Sequence, residues 1–172
     1  MTLMNTLYLP KSKKRRRIDY KVFDARKKPK YKVTGATGNK NDVINVFDLN
    51  DNLVAKIKQV SVGFLPRFQL INGDNYVASF NLNLGPLKDV IYISRLNWIV
   101  FGKIAEGKYK IRWRRKRLLS VETVELPDGF FNQLEVSLEN QEPVMVAIAA
   151  LLDSWTLIEN KQKKLKLKFK LI

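Results

Sequence analysis

The stretch EPVMVAIAALLDSW spans Glu142 to Trp155, and within it Val144 to Leu152 are nine consecutive apolar residues. Pro143 suits the first turn of a helix, and Glu139 and Glu142 lie near what would be its positive end. Three alanines and a methionine favour helix over strand, and nine residues are long for a strand. At 3.6 residues per turn the run covers about two and a half turns and shows no polar side. Such a helix has to be buried all round. The reading places it at residues 143–157.

What encloses it is legible upstream. Ten short segments read as strands: 30–34, 42–48, 52–58, 67–71, 76–82, 89–94, 97–104, 108–113, 117–124 and 130–138. The breaks contain NDN, NGDN, LGP, EG and PDG, which are turn formers. Two segments alternate clearly. Tyr109, Ile111 and Trp113 interleave with Lys108, Lys110, Arg112 and Arg114, and Leu134, Val136 and Leu138 interleave with Gln133, Glu135, Ser137 and Glu139. One apolar face per strand is the pattern of an antiparallel sheet with a single buried side. On this reading Trp113 belongs to the core.

A flat sheet covers one side of a helix, whereas a curled sheet covers every side and removes its own edges. The expected fold is therefore mainly β: a closed antiparallel barrel of about ten to twelve strands around a hydrophobic C-terminal helix. The competing geometry is a two-sheet sandwich with the helix plugging one end.

The chain has 172 residues, enough for one domain with a real core, and a net charge of +16. That charge is unevenly placed. Residues 1–32 hold 12 Lys/Arg against 2 Asp/Glu, and residues 161–172 hold 6 Lys and no acid. The 14 bases and 14 acids between them cancel. Basic termini attract polyanions without reading sequence. With no cysteine and no histidine, disulfides, thiol chemistry, His-based triads and nearly all zinc sites are excluded. The first charges follow a short apolar stretch, the reverse of a secretory leader, and no apolar run approaches the ~18 residues of a membrane span. These features lead to an expectation of a cytoplasmic chain, peripheral at a membrane.

The arrangement resembles the tubby C-terminal-like superfamily, in particular its LURP-one-related branch, kin of the phospholipid scramblases. The residues that carry the resemblance are FDLNDNLVAKIKQ (Phe47–Gln59), RFQLINGDNYVASF (Arg67–Phe80), NWIVFGKIAEGKYKI (Asn97–Ile111) and FFNQLEVSLENQEPVMVAIAALLDSW (Phe130–Trp155). It implies a closed barrel around a late hydrophobic helix and carries no site residue across. Residues 1–30 are then a basic, partly flexible arm. Residues 31–172 are a single barrel domain with a basic final strand at 163–172, where Leu165, Leu167, Phe169 and Leu171 alternate with lysines.

Three clusters are candidates for anion binding. The first is KSKKRRR, comprising Lys11, Lys13, Lys14, Arg15, Arg16 and Arg17. The second is Lys108, Lys110, Arg112, Arg114 and Arg115, within a segment of eight bases and one acid from Lys103 to Arg117. The third is Lys166, Lys168 and Lys170. Each has a structural alternative: a solvated arm, cross-strand pairing with Glu135 and Glu139, and edge lysines that block aggregation. Asp48, Asp51 and Asp128 sit in turns, and Asp153 closes the helix, so no catalytic carboxylate pair is apparent. The expectation is a non-enzymatic module without cofactor or metal. It binds polyanions through its basic arms, anionic membrane lipid first, with nucleic acid or an acidic protein as alternatives.

Overall fold

The computed structural model of the chain describes residues 3–12, 17–82, 89–137 and 141–170, and beyond Thr156 the side chains of Leu167, Lys168 and Lys170. Twelve antiparallel strands precede one long helix. They are β1 (Asn5–Pro10), β2 (Arg17–Asp24), β3 (Pro29–Ala36), β4 (Val43–Phe47), β5 (Leu53–Gln59) and β6 (Arg67–Asn72), then β7 (Asn75–Asn81), β8 (Val90–Ile93), β9 (Trp98–Lys103), β10 (Lys108–Trp113), β11 (Lys116–Leu126) and β12 (Gly129–Val136). A 3-10 turn, Ile104–Glu106, joins β9 to β10, and α1 runs from Glu142 to Lys170.

The order around the sheet is β7-β6-β5-β4-β3-β2-β1-β12-β11-β10-β9-β8. Every pair of sequence neighbours but β7 and β8 forms a ladder, and β1 pairs with β12 to join the two ends of the meander. The circuit is nearly complete at β7 and β8, where the Ser94 amide and hydroxyl both donate to the Ser79 carbonyl at 2.9 Å. All ten strands expected from the sequence are present as β3 to β12.

Alternation decides which side chains face inward. Ile44 and Val46 on β4, Ala55 and Ile57 on β5, Phe68 and Leu70 on β6 and Ile111 on β10 are buried. Val144 to Leu152 fill the space they surround, and none of the nine is more than 9% exposed. The helix touches β1, β3, β6 and β12 through Asn5–Glu142, Tyr31–Glu142, Phe68–Trp155 and Asn132–Asp153 and packs along β4 and β5, so it is enclosed on several sides. Where backbones approach most closely, glycine is required. A Cβ on Gly35, at φ +135°, would collide with the Val43 carbonyl oxygen.

Three expectations are corrected. Residues 1–30 are not merely an arm: β1 and β2 are barrel strands. Leu7, Leu9, Ile18 and Val22 are at most 2% exposed. The alternation Ile18-Asp19-Tyr20-Lys21-Val22 was present in the sequence but lay beside dense charge. Residues 163–172 are not a strand, because α1 continues through them as far as Lys170. The two edges of the sheet, β7 and β8, already meet through Ser79 and Ser94, so a thirteenth strand would have to part them to pair its backbone groups. Extending a formed helix is easier than nucleating new structure, and the tail contains neither glycine nor proline. Trp113 is only half-buried, at the end of β10 rather than inside the core.

Candidate anion-binding surfaces

In an antiparallel meander, connections alternate between the two ends of the barrel. Those at residues 25–28, 48–52, 73–74, 94–97 and 114–115 share one end, where the helix enters. Those at 37–42, 60–66, 104–107 and 127–128 share the other, where it leaves. This divides the candidate residues.

At the entry end the helix is anchored by Glu142, which is 1% exposed. Its carboxylate accepts hydrogen bonds from Tyr31 Oη at 2.8 Å and Asn5 Nδ2 at 2.9 Å, and pairs with Lys30 Nζ at 2.6 Å. Burial, then the Glu142 hydrogen bond and charge, push the Tyr31 phenol well above its ordinary range. At the exit end Asp153 has the same role. Its carboxylate accepts from the Ser12 amide at 2.8 Å and from Asn132 Nδ2 at 3.0 Å, and Lys11 Nζ lies 3.4 Å away. Tyr20 and Tyr109 are held well above the usual phenol range, first by burial and then by the Asp153 charge. The Thr37 and Ser154 hydroxyls, 2.9 Å apart, add a third tie there.

Lys11 is therefore partly committed to a structural ion pair. Arg17 stands exposed at the start of β2, on the exit end. Lys13, Lys14, Arg15 and Arg16 lie outside the described residues. Lys168 and Lys170 are exposed on the last turns of α1, and the side chain of Lys166 lies outside the described set.

The middle cluster splits as well. Lys108, at the exit end of β10, pairs with Glu122 of β11 at 3.6 Å, and Lys103 pairs with Glu106 at 3.8 Å. The expected partner Glu135 does not serve, because β11 separates β10 from β12; Glu139 lies outside the described residues. Towards the entry end the compensation stops. Lys110, Arg112, Arg115, Lys116 and Arg117 line a groove of about 630 Å³ together with Met4, Leu118 and Ser137. None of these five bases pairs with a carboxylate among the described residues. Arg112 faces Arg117 directly across the ladder, a repulsive arrangement. Arg114, in the turn, and Lys116 lie 5.2 and 5.8 Å from the Trp113 ring centroid, and Arg112 lies 5.3 Å from that of Phe101. Lys116 and Arg117 belong to this surface but were not singled out in the candidate set, although RWRRKR contains them.

Among the described residues, no group of His, Cys, Asp or Glu is placed to hold a metal ion, and no helix is long and apolar enough to cross a membrane. Two surfaces thus concentrate positive charge: an arginine-rich groove at the entry end, and the exit end, where the lysine-bearing half of α1 leaves the barrel.

No protein-family model matches the chain. It is 23% identical over 134 residues to the uncharacterised protein YxjI of Bacillus subtilis (strain 168), a match covering 78% of this chain and 83% of that one. Its fold is similar to the X-ray structure of the Arabidopsis thaliana protein AT5G01750, a LURP-one-related protein, with a TM-score of 0.59, 11% identity, and coverage of 88% of this chain and 91% of the other. The likeness at that identity is one of fold: a β-barrel with a single helix.

Proposed function

We propose that this chain is a non-enzymatic, peripheral membrane-binding module of the tubby-like, LURP-one-related type, which engages anionic lipid surfaces from the cytoplasmic side through the exit end of its barrel. The observation that carries the reading is the length of α1. The helix is buried as far as Thr156 and then continues for 14 residues to Lys170, with six lysines and one glutamate in that extension. Leu167, Lys168 and Lys170 are all exposed there. A cationic helix interleaved with leucine and phenylalanine suits an interface that is anionic above and apolar below. The filled barrel interior speaks against a substrate cavity in the lumen.

The test is co-sedimentation at physiological ionic strength with vesicles of phosphatidylcholine alone, vesicles containing phosphatidylserine, duplex DNA and single-stranded RNA. The full chain is compared with a variant carrying Lys→Gln at 161, 163, 164, 166, 168 and 170, which keeps helix propensity. At about 1 kcal/mol per lysine near an anionic surface, even half the sum is more than a hundredfold in affinity. Binding to phosphatidylserine vesicles is expected, with a loss of that order in the variant and a flatter salt dependence. Retention on nucleic acid but not on vesicles, or a variant that binds as well as the parent, would refute the proposal.

A further inference from the structure

The connection from β5 to β6, at residues 60–66, sits on the exit end and has an unusual composition for a loop. No charged residue occurs between Lys58 and Arg67. At its tip Val62, Phe64 and Leu65 are 55, 71 and 50% exposed. These side chains bury little within the chain, and a polar turn would connect the strands equally well.

The loop is nonetheless well anchored. The Val60 amide donates to the Arg67 carbonyl at 2.9 Å, and the Arg67 amide donates to Ser61 Oγ at 3.1 Å. Asn81 Nδ2 donates to the Leu65 carbonyl at 3.2 Å, and the Leu82 amide to the Pro66 carbonyl at 3.0 Å. Gly63, between the apolar residues, has φ +107°, and a Cβ built on it meets nothing within 4 Å. A fixed base therefore presents an apolar tip to open space.

Its neighbours define what could cover it. Phe68, at the start of β6, packs edge-on against Trp155 with ring centroids 5.8 Å apart. Trp155 stands just where α1 leaves the barrel, so the tip and the cationic part of the helix issue from adjacent positions at the same end. Arg17 belongs to that end as well. An apolar tip on the same end of the barrel as the lysine-bearing extension of α1 is complementary to an apolar layer beneath an anionic one. Nucleic acid supplies the charge but not the apolar layer.

We infer that Val62, Phe64 and Leu65 form a membrane-inserting tip, which enters the headgroup–acyl boundary of an anionic bilayer while the lysines of α1 bind the headgroups. This rests on the membrane reading above and assigns the insertion point within it.

The chain contains no cysteine, so Phe64→Cys creates a single site for an environment-sensitive fluorophore. Asn50→Cys, in the exposed β4–β5 turn at the opposite end, is the control. With phosphatidylserine-containing vesicles the label at 64 is expected to shift to the blue and to be quenched by lipids brominated on the acyl chain, while the label at 50 stays water-like. Substituting Val62, Phe64 and Leu65 together by serine should weaken vesicle binding on the order of tenfold or more without altering its salt dependence, because burial of apolar surface is not screened. The thermal midpoint should be unchanged. A water-like label at 64 on protein that does sediment with vesicles overturns the insertion and leaves the membrane reading standing. Absence of sedimentation by the full chain overturns both. A shift at 64 that grows with protein concentration without vesicles makes the tip a contact between copies, and also overturns the insertion.

Discussion

Replacing Asp153 by alanine tests how the helix is held in the barrel. The Asp153 side chain is 5% exposed, and three donors converge on it: the Ser12 amide at 2.8 Å, Asn132 Nδ2 at 3.0 Å and Lys11 Nζ at 3.4 Å. Alanine removes the acceptor and leaves the donors behind. Asn132, itself 3% exposed, and the Ser12 amide would each lose their partner, at about 1–3 kcal/mol apiece. Lys11 is 28% exposed and can turn to water, so it adds little. The expected loss is about 4 kcal/mol, which in a domain of this size lowers the thermal midpoint by about 8–15 °C. Urea denaturation of Asp153→Ala, Asp153→Asn and Lys11→Met should rank them in that order of cost. Asparagine keeps one acceptor oxygen, and Lys11→Met leaves the carboxylate with two neutral donors. Asp153→Ala within about 1 kcal/mol of the parent, or Lys11→Met as costly as Asp153→Ala, would show that the hydrogen-bonded anchor is not what fixes the helix exit.

Other consequences are simpler to state. Tyr20 and Tyr109 are buried with raised pKa values, so above the ordinary phenol pKa of about 10 the unfolded chain ionises them and the folded chain does not. The unfolded state then binds fewer protons, and stability should fall with rising pH by about 1.4 kcal/mol per unit for each tyrosine, seen as tyrosinate absorbance appearing together with unfolding; their gradual titration in an intact fold would contradict the burial. Arg117→Glu sets an opposite charge against Arg112 and should raise stability by about 0.2–1 kcal/mol at low salt, a gain that fades as salt is added. No gain at low salt would mean that the two arginines do not repel. Gly35→Ala should cost about 3 kcal/mol or more, from its positive φ and the encounter with the Val43 carbonyl, whereas Gly63→Ala, in open space, should cost about 1 kcal/mol. Equal urea midpoints for the two variants would remove the distinction.

How much of this was readable in advance depended on whether a local signal had a competitor. Val144–Leu152 has no polar face, so nothing competed with burial, and the barrel followed from it. Strands β3 to β12 were legible because turn formers separate them. In β2 the alternation of Ile18, Tyr20 and Val22 was equally regular, but the basic run beside it suggested a mobile arm. The tail failed for the opposite reason. Leu165, Leu167 and Phe169 alternate as a strand would, yet period two is only a local preference. Helix continuation, and sheet edges at β7 and β8 that already meet each other, outweighed it. The site was less legible than the fold. RWRRKR was evident as a charge cluster, but its partners depend on strand order, which no local pattern encodes, so Glu122 paired with Lys108 where Glu135 was expected. The apolar loop tip at residues 62–65 carried a visible signal, an uncharged hydrophobic run between two strands. It became meaningful only once the topology placed it beside the helix exit.

The two ends of the barrel are built differently, and that asymmetry bears on function more than the wall does. At the entry end β6–β7 and β10–β11 turn within two residues, at 73–74 and 114–115. At the exit end the connections at 37–42 and 60–66 are longer. Short turns serve the sheet, whereas longer loops on a rigid scaffold are where recognition surfaces are commonly placed. The helix follows the same polarity. Glu142 anchors it beneath the short-turn end, its apolar half fills the lumen, and Asp153 pins it just before it leaves among the longer loops. Occupying the lumen leaves little interior volume for a ligand, which on the proposed membrane reading puts binding at the ends and outer wall. Of the two ends, only the exit end combines the lysine-bearing extension of α1 with an exposed apolar tip. An unpaired arginine groove can bind phosphate wherever phosphate occurs, but cations and apolar side chains offered together select a surface that is itself layered.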